Sequence, residues 1–485
     1  MRAAPVSLAL AALLLLSGCA ASAAGPARAP GSTTVATFVD RNGDGLLERG
    51  PGEPLAARTE LARAGTVART LATFAQISDL HVVDEESPLR VEPIDRLGDA
   101  VRSAFRPQES LSTQVLAAML ESIAALHPSL LLATGDLVDN AQQNELAWML
   151  QTLRGGVIRP DSGARGYAGA QEVSSADPFL YRPDVDAPRH PGLLSRAQQP
   201  FTSPGARVPV LLLPSNHDLL VQGLVRADAR LTAIAGGSRK LVEPSREVLD
   251  AVRAGSLDAI DGALSAPGEQ RSVRADPRRR PLEPGEMLAA LARADGSELT
   301  DGYLLLDRAL SPGIRLLALD TSSRTRGADG ELPASELAWL AAKLREHAGE
   351  RVLVVSPTPL ENTRGGERAF ALLDETPGVI AVVSGDTHRN AISPRRSAQG
   401  GYWLVRAASL ADFPQQARMF RLVRLTDGRV ALQTWVVDHA GRATAPGWRG
   451  LAGISRDLAY LDVQGGRPLH EAGGRLDRNA TLFLP

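Results

Sequence analysis

Six short apolar runs constrain what this chain can fold into more than any other feature of its sequence. They are rich in Leu, Val and Ile, show no polar alternation and cover residues 73–77, 129–133, 208–213, 314–318, 351–355 and 379–383. Runs of this kind are typical of strands that are buried on both faces of a sheet. Helical patterns lie between several of them, for example at residues 112–126 and 335–347. Because strands that alternate with helices build layered sheets, the pattern predicts an α/β fold.

Two long stretches interrupt this alternation, and closely spaced strands follow it. Residues 155–207 are rich in Pro, Gly and Arg, and residues 219–303 have helical patches around an Arg-rich stretch. Both are too long for ordinary loops, so we expect insertions that cover one rim as a cap. Near the C-terminus, residues 402–407, 419–425 and 430–437 predict strands, with a hairpin turn at 426–429 between the last two.

The composition is that of a folded globular chain with no excess of either charge. Of the 485 residues, 44% are hydrophobic and 22% charged, and 53 Lys and Arg against 55 Asp and Glu give a net charge of −2. A protein whose main partner is nucleic acid needs a strongly basic face, and this balance argues against one. The single cysteine, Cys19, excludes an internal disulfide framework and a cysteine-based zinc site.

The N-terminal segment predicts export. Arg2 precedes an apolar run at residues 6–16, which is too short to span a bilayer as a mature helix but fits a signal segment. The small residues before Cys19 resemble the lipobox of bacterial lipoproteins, which implies acylation of that cysteine as the first mature residue. The alternative is an ordinary secretory signal with a cysteine there by chance. We expect a membrane-anchored lipoprotein on the periplasmic or extracellular face, held by acyl chains.

The expected domain organisation follows the chain from this anchor to the C-terminus. A signal peptide covers residues 1–18, a flexible tether rich in Ala, Gly, Pro and Ser covers 19–38, and an N-terminal extension covers 39–72. The main α/β domain covers residues 73–440 with its two insertions, and a C-terminal extension covers 441–485.

Two charged motifs lie outside the apolar pattern. Asp40, Asn42 and Asp44, followed by a glycine, have the spacing that begins a calcium loop. The twelfth position, where a bidentate Glu belongs, is Pro51, so a polar turn is the favoured interpretation and calcium binding the alternative. For the three arginines at 278–280 we expect a solvated surface, with contact to a substrate phosphate as the alternative.

Side chains that can bind a metal follow four of the six apolar runs. They are Asp79 and His81 after the first run, Asp136 and Asp139 after the second, Asn216, His217 and Asp218 after the third, and Asp386 and His388 after the sixth. The carboxyl ends of parallel strands gather at one edge of an open α/β sheet, so we expect these groups to converge. Imidazole and carboxylate together suit zinc, iron or manganese. In an Asp-x-His segment both side chains leave the same side of an extended backbone and can bind one ion.

These motifs resemble those of the calcineurin-like metallophosphoesterase superfamily, which run Asp-x-His, Gly-Asp-x-x-Asp, Gly-Asn-His-Asp, a lone His and Gly-His-x-His. The similarity spans about residues 74–440 and is greatest to an exported bacterial branch, in which Gln76-Ile-Ser-Asp-Leu-His is soon followed by Asp84-Glu-Glu-Ser-Pro. The resemblance implies a four-layer α/β/β/α sandwich with inserted cap segments. It also implies two divalent metal ions of the iron, zinc or manganese type, side by side above the sandwich.

Carried over by position, the resemblance implies a role for each motif residue. Asp79, His81, Asp136 and His388 would hold the first metal, Asp136 would bridge to the second, and Asn216 would bind the second. His217 would face the phosphoryl group of the substrate, and Asp218 would orient it. A shared carboxylate is a natural bridge because its charge offsets the repulsion between two cations that clamp the phosphoryl oxygens. Asp139 and Asp218 are candidate partners behind these residues.

Three positions differ from the family pattern. Ser215 replaces a Gly and is expected to be tolerated, Pro357 stands where the lone His is expected, and Asp386 replaces the first His of Gly-His-x-His. Proline cannot bind a metal, whereas Asp386 can bind one through oxygen. We therefore expect the second site to be oxygen-rich, weak and selective for manganese or magnesium. Among the remaining histidines, which are His127, His190, His347, His439 and His470, the candidates to fill the gap are His190 and His439.

The leading functional hypothesis is a lipid-anchored, extracytoplasmic phosphoesterase that hydrolyses a phosphodiester or monoester with a metal-activated hydroxide. The alternative is a degenerate member that binds one metal or a phosphorylated ligand without turnover. Pro357 favours that alternative, and the intact segment Asn216-His217-Asp218 disfavours it. A purely structural role is a third alternative. The motifs do not encode the substrate, because the choice between diester and monoester depends on the shape and charge of the cap.

Overall fold

In the computed structural model, two large sheets lie face to face between helices. The structure describes residues 31–97, 104–175, 177, 179–254, 268–325, 327, 329–461 and 469–485. Cys19 and the signal segment lie outside these residues, so the lipoprotein prediction stays a prediction. Within the part of the chain that the structure describes, no helix is both long and apolar enough to cross a lipid bilayer.

The described residues form short strands from end to end of the chain. In chain order they are β1 (Ala36–Val39), β2 (Glu48–Pro51), β3 (Ala56–Arg58), β4 (Val67–Ser78), β5 (Leu131–Thr134), β6 (Gly156–Ile158), β7 (Phe201–Ser203), β8 (Val210–Leu213), β9 (Arg239–Pro244), β10 (Gly268–Ser272), β11 (Leu306–Ser311), β12 (Ile314–Ala318), β13 (Gly330–Glu331), β14 (Arg351–Val355), β15 (Thr363–Arg364), β16 (Val379–Ser384), β17 (Ala391–Arg395), β18 (Tyr402–Arg406), β19 (Gln416–Leu425), β20 (Val430–Asp438) and β21 (Ala480–Phe483).

Along the chain, the helices lie between strands. They are α1 (Ser112–Leu126), α2 (Gln143–Arg154), α3 (Leu193–Ala197), α4 (Asn216–Leu219), α5 (Ala229–Ala235), α6 (Arg246–Arg253), α7 (Pro284–Asp295), α8 (Ala334–Glu346), α9 (Gly366–Glu375), α10 (Trp448–Leu461) and α11 (Arg475–Arg478). Short 3₁₀ turns at Glu92–Leu97, Glu109–Leu111, Pro277–Arg279, Leu360–Asn362 and Leu469–Ala472 complete the helical structure of the described residues.

Sheet A has seven strands in the order β3-β21-β20-β19-β4-β5-β8, and sheet B has six in the order β11-β12-β14-β16-β18-β17. In sheet A, β4, β5 and β8 are parallel neighbours, with Gln76 opposite Leu132 and Leu132 opposite Leu211. In sheet B, β12, β14, β16 and β18 are parallel. The three parallel strands of sheet A therefore end at one edge, and so do the four of sheet B.

Alternate residues of sheet B face two different cores. Leu316, Leu353, Ala381 and Trp403 share one apolar core with sheet A, and the Trp403 indole donates to the Phe483 carbonyl of sheet A at 3.1 Å. Their neighbours along the strands pack in a separate core with α8 and α9, and these are Leu317, Val354, Val382 and Tyr402. This alternation follows from the two-residue period of a strand, with each buried aliphatic side chain contributing about 1.5–3 kcal/mol.

The outer face of sheet A is covered by helices as well. Met119 and Ile123 of α1 and Met149 of α2 belong to the core that contains the strands of sheet A. The layers are therefore helices, sheet A, sheet B and helices. The predicted four-layer α/β/β/α sandwich is confirmed.

The predicted second insertion is divided between two apolar cores. Residues 89–97 and 221–252 build a small second core that includes Leu89, Ile94 and Leu241. Helix α7, at the end of the predicted second insertion, instead packs Met287 and Leu291 into the main core beside β8. The amphipathic pattern of α7 predicts a helix but does not show which core receives its apolar face.

Both chain extensions contribute strands to sheet A. β3, from the predicted N-terminal extension, pairs in parallel with β21, from the predicted C-terminal extension, and β21 pairs with β20. The predicted domain boundaries at residues 73 and 440 remain a prediction, but the main sheet continues beyond both of them.

Candidate metal centre

Five strand ends bring polar side chains to one edge of the sandwich. These side chains are Asp79 and His81 after β4, Asp136 and Asp139 after β5, residues 216–218 after β8, Asp386 and His388 after β16, and Asp412 after β18. The two sheets come close together here, where the Gln76 amide of sheet A donates to the Ser384 carbonyl of sheet B at 3.1 Å. A Cβ atom on Gly385 would lie 1.7 Å from the Ser78 hydroxyl oxygen, so only glycine allows this approach.

The four residues predicted to hold the first metal lie together. One ligand atom each from Asp79, His81, Asp136 and His388 lies within 4.8 Å of all the others. The Nε2 atoms of His81 and His388 are 3.3 Å apart. His81 Nε2 is 3.7 Å from Asp136 Oδ2, and His388 Nε2 is 3.9 Å from Asp79 Oδ1. His388 is the most exposed of the four, with 12% of its side chain open to solvent, so the cluster opens on its side.

The backbone at this cluster is held in an unfavourable conformation. Asp79, His81, Asp136, Asp386 and His388 have φ angles of 52°, 42°, 44°, 65° and 55°. These values lie in the left-handed region, which residues with a Cβ seldom adopt and which costs on the order of 1–3 kcal/mol each. Such strain persists where the surrounding structure fixes it, and it is typical of functional sites.

The donor set fits a divalent cation. His81 Nδ1 lies 2.8 Å from Asp139 Oδ1, and His388 Nδ1 is hydrogen-bonded to Asp412 Oδ2. With the proton of each ring on Nδ1, the two Nε2 atoms direct lone pairs toward each other across 3.3 Å. A cation bound by both rings and by carboxylate oxygens of Asp79 and Asp136 would remove that repulsion. This set of nitrogen and oxygen donors suits zinc, iron or manganese.

The electrostatics of the cluster favour neutral imidazoles beside crowded carboxylates. Burial, with the charges of Asp136 and Asp386, raises the pKa of Asp79 well above its ordinary value. Burial, with the nearby Arg106 cation, lowers the pKa of His81 to about 4, and burial also lowers the pKa of His388. Neutral imidazole is the form that binds a metal, and a bound cation would offset the repulsion among the carboxylates.

His217 lies beside this cluster with a different protonation state. Its Nδ1 is 3.1 Å from the Asp139 carbonyl oxygen and 3.3 Å from Asp139 Oδ1, and its backbone N–H donates to Asp136 Oδ1 at 3.1 Å. Burial disfavours the charged ring, but the charges of Asp136 and Asp139 outweigh burial and raise the pKa of His217 to about 9. In the metal-free protein these carboxylates therefore favour the protonated ring of His217, next to the metal-binding cluster.

The other residues of the third motif are held by backbone contacts. Asp218 accepts the N–H groups of Ser215 at 2.8 Å and Val138 at 3.0 Å, so its carboxylate joins two strand-end loops, whereas the His217 ring contacts Asp139. Burial, followed by the charge of Asp136, raises the pKa of Asp218 to about 7.

Gly223 packs closely against the third motif. Its carbonyl oxygen accepts from Asn216 Nδ2 at 2.9 Å. A Cβ on Gly223, which has a φ of 70°, would lie 2.4 Å from Asn216 Nδ2 and 2.5 Å from His217 Nε2. Glycine is needed here both for its positive φ and for the space that it leaves to the two side chains.

The predicted second site is less complete. Burial, then the Asp136 charge, raises the pKa of Asp386 to about 7, which places these carboxylates within electrostatic reach of each other. Pro357 lies at the same edge, since its carbonyl accepts the Gly385 N–H at 2.9 Å and its Cβ is 3.2 Å from a Cβ built on Gly135. The side chains predicted for the second cation, Asp136, Asn216 and Asp386, offer only carboxylate and amide oxygens. A second group of possible ligands among the described residues, His81, Asp139 and His217, does contain imidazoles and lies beside the first.

Neither candidate histidine fills the place of the missing imidazole. His439 is buried, with Nε2 3.2 Å from Gln415 Oε1 and with Nδ1 accepting the Gly441 N–H at 3.1 Å. His190 is half-buried and belongs to none of the described groups of metal-binding side chains. His470 has no described side chain.

Three buried residues that support the cluster were not predicted as site residues. Asp412 backs His388, and the guanidinium of Arg106 donates to Asp412 Oδ1 at 2.8 Å. Arg90 donates to Asp139 Oδ2 at 2.6 Å. The sequence does contain a signal for Asp412, because this residue follows strand β18 just as each metal-binding motif follows its own strand. The two arginines come from a segment without strand or helix periodicity, so no pattern indicates their position.

The two charged motifs outside the apolar pattern have structural partners. Asp40 accepts the N–H groups of Gly43 and Gly45 at 2.7 and 2.9 Å, which is the favoured polar turn. In the run 278–280, Arg278 pairs with Asp276 and Arg280 with Glu286, whereas Arg279 is fully buried and donates to Asp84 at 2.9 Å. The prediction of a solvated run is wrong for Arg279, because its charge is neutralised by Asp84 inside the protein.

A third group of possible metal ligands lies away from this edge and already holds a cation. Asp307, Glu346 and His347 are close together. Lys343 Nζ lies 3.0 Å from an Asp307 oxygen and 2.8 Å from a Glu346 oxygen. The ammonium group supplies the positive charge that these carboxylates require.

The four layers, the placement of the motifs at strand ends and the shared His–carboxylate cluster agree with the architecture that the resemblance to calcineurin-like metallophosphoesterases implies. In this four-layer fold, the seven-stranded sheet supplies Asp79, His81 and Asp136, and the six-stranded sheet supplies His388.

Comparisons of the chain with known proteins give matches among solved structures only. No protein-family model and no curated protein sequence matches it. A dimetal phosphatase from Danio rerio is similar at 12% identity and a TM-score of 0.40, over 76% of this chain and 97% of that one. The sulfate thiohydrolase SoxB from Thermus thermophilus is similar at 13% identity and a TM-score of 0.29, over 82% of this chain. A purple acid phosphatase from yellow lupin (Lupinus luteus) seeds is similar at 9% identity and a TM-score of 0.33, over 80% of this chain. The matches span 62% of the SoxB chain and 54% of the lupin chain, less than two thirds of each.

Proposed function

We propose that the protein is a metal-dependent hydrolase of phosphoric esters. The observation that carries this proposal is the position of a further buried histidine, His217, beside a metal-binding cluster. Asp139 Oδ1 lies 2.8 Å from the Nδ1 atom of His81 in the cluster and 3.3 Å from the Nδ1 atom of His217 outside it. A site that only stores a metal has no need of a further imidazole that is held by the same carboxylate beside its ligands.

The cluster would hold the cations that this chemistry requires. Asp79, His81, Asp136 and His388 would bind the first ion, and Asp136, Asn216 and Asp386 are the groups available for a second. Bound divalent ions supply an activated hydroxide and a Lewis acid for the phosphoryl oxygens. Because the second set contains only oxygen donors, we infer that it prefers manganese or magnesium and binds weakly.

His217 would act on the substrate itself. Its charge suits binding of a phosphoryl oxygen, and its proton can pass to the oxygen of the leaving group. The carbonyl and the carboxylate of Asp139 hold the ring through Nδ1, which leaves Nε2 for the substrate. Asp218 fixes the loops on either side through the N–H groups of Ser215 and Val138, so it would position His217 without touching the ester.

We also propose that the enzyme works at the outer side of a bacterial membrane. The sequence around Cys19 supports acylation there, and the tether at 19–38 would give the folded part freedom to reach its substrate. The substrate is a phosphate ester, diester or monoester.

A second candidate function is a binding protein without turnover. It is favoured by Pro357, which lies against Gly385 at the edge where an imidazole would complete a second site. Such a protein would bind one cation or a phosphorylated ligand and release it unchanged.

Hydrolysis of chromogenic esters separates the two functions. Protein loaded with manganese or zinc should release p-nitrophenol from bis-p-nitrophenyl phosphate or p-nitrophenyl phosphate, and His217→Asn should lower kcat by about 10²–10⁴-fold. Asn216→Ala should lower turnover at the same time. His347→Asn is the matched control, because His347 also pairs with carboxylates but lies in the group that Lys343 neutralises. Absence of turnover, together with one bound ion or none, would support the binding protein instead.

A further inference from the structure

The support behind His388 is a chain of buried charged groups. The Asp412 carboxylate accepts from His388 Nδ1 through Oδ2 and from Arg106 Nε through Oδ1, the latter at 2.8 Å. Arg106 Nη2 also donates to Asp412 Oδ2, at 3.3 Å. Arg106 is 3% exposed and Asp412 5%, so the pair is shielded from water. A two-point contact between a guanidinium and a carboxylate fixes the plane of both groups.

Local contacts fix this pair to both neighbouring segments. The Asp412 N–H donates to Ser409 Oγ at 2.8 Å, which holds the loop after β18. The Gln108 side chain donates to the Ala411 carbonyl at 2.9 Å, so the segment before α1 is bound to that same loop. These bonds hold the segment that carries Arg106 against the loop that carries Asp412.

The same segment also reaches the other imidazole of the cluster. The Arg106 N–H donates to Glu109 Oε2 at 2.9 Å, and Glu109 Oε2 accepts from Arg90 Nη2 at 2.9 Å. Arg90 in turn donates to Asp139, which backs His81. The segment that follows the first motif therefore holds the carboxylates behind both metal-binding histidines.

We propose that Arg106 and Asp412 are positioning residues that orient His388 toward the cation, an inference that rests on the metal site of the proposed function. The second torsion of a histidine side chain has broad minima, and His388 is the most exposed member of the cluster. Its ring direction therefore depends on what Nδ1 contacts. Asp412 supplies that contact, and Arg106 holds the Asp412 carboxylate so that Oδ2 faces the ring.

Cobalt binding to the whole protein tests this assignment without relying on turnover. Titration of metal-free protein with Co²⁺, followed by visible absorption, reports both the affinity and the coordination of the ion. Arg106→Met should weaken Co²⁺ binding by about 10–100-fold, as is typical when a group behind a metal-binding histidine is removed. Asp412→Asn should weaken it as well, and Arg106→Lys, which keeps a cation beside Asp412, should restore part of the affinity.

Arg279→Met is the matched control for general loosening of the fold. Arg279 is fully buried and paired with the buried Asp84 at 2.9 Å, and neither residue contacts the cluster. It should lower the free energy of unfolding while leaving the Co²⁺ affinity of folded protein unchanged. Equal weakening by Arg106→Met and Arg279→Met would overturn the assignment, and so would Arg106→Met binding Co²⁺ as tightly as wild type. If wild type itself binds no Co²⁺, the proposed function fails together with this inference.

Discussion

At the scale of single residues, one carboxylate, that of Asp139, contacts two imidazoles whose pKa values are shifted in opposite directions, those of His81 and His217. Both Nδ1 atoms lie near Asp139 Oδ1, at 3.3 and 2.8 Å. His81 is buried near the Arg106 cation and has a pKa of about 4, whereas Asp136 and Asp139 raise that of His217 to about 9. The sequence places both residues after buried strands, but the charges that separate their pKa values come from residues distant in sequence.

The raised pKa of His217 predicts a pH dependence of stability in the metal-free protein. The folded ring keeps its proton up to pH about 9, whereas the unfolded ring releases it near the model-peptide value of 6.5. The resulting stabilisation is complete below pH 6.5 and is lost as the pH rises from 6.5 to 9, with an upper bound of about 3 kcal/mol. Urea unfolding of wild type and His217→Asn with a chelator present should therefore show a difference in unfolding free energy that shrinks across this window. A difference that grows with pH would contradict the assignment.

Removal of the Asp136 carboxylate and removal of the Asp386 carboxylate should lower the metal content of the protein by different amounts. Asp136 belongs to the first group of ligands and its charge also raises the pKa of Asp386, whereas Asp386 is not in that first group. Asp136→Ala should lower the metal content of purified protein more than Asp386→Ala does. Metal analysis of both variants against protein concentration checks this. Equal losses would contradict the bridging position of Asp136.

At the scale of elements, apolar periodicity located the strands and helices that have strongly buried faces. The runs at 314–318 and 351–355 coincide with β12 and β14, and the helical pattern at 112–126 coincides with α1. The pairing of β3 with β21 could not be predicted in this way. Both strands are three or four residues long, and more than 400 residues separate Ala56 from its partner Ala480, so the pairing depends on the assembled sheet.

Buried ion pairs that join elements should contribute far more to the free energy of unfolding than exposed ion pairs do. Arg279 joins the segment after the first motif to the first insertion, with donor contacts to Asp84 at 2.9 Å and Ser162 at 2.7 Å. Arg279→Met leaves the Asp84 charge buried without its cation and should lower the free energy of unfolding by about 3–5 kcal/mol.

The neighbouring arginine provides the comparison. Arg278 pairs with Asp276 at 2.6 Å, but 60% of its side chain is exposed. Arg278→Met should therefore cost at most about 1 kcal/mol. Chemical unfolding of both variants measures the two losses, and similar losses would show that Arg279 is not the structural link inferred here.

At the scale of the whole molecule, the metal site depends on both sheets at once. Sheet A supplies Asp79, His81 and Asp136, and sheet B supplies His388. The general rule for parallel strands predicts that these groups gather at strand ends, and this much could be read from the sequence. The groups behind them, such as Arg106, lie in irregular segments whose path is set by packing, which no periodic pattern reveals.

A cation that joins the two sheets should stabilise the entire fold. A divalent ion at 100 times its dissociation constant adds about 2.7 kcal/mol to the free energy of unfolding, provided that the unfolded chain does not bind it. Manganese or zinc should raise the Tm of wild type and of the control variant Asp307→Asn in a thermal unfolding scan. Asp79→Asn should lose this rise. A similar rise in Asp79→Asn would place the stabilising ion elsewhere.

Anomalous X-ray diffraction from crystals of the metal-loaded protein locates the bound ion directly. We expect an anomalous peak within reach of both His81 Nε2 and His388 Nε2, with carboxylate oxygens of Asp79 and Asp136 completing the coordination of the ion. Ligand distances should be about 2.0–2.2 Å if the ion is zinc. Density for an ion only at other places on the chain, with the two imidazoles turned away from each other, would show that these four residues do not form the metal site.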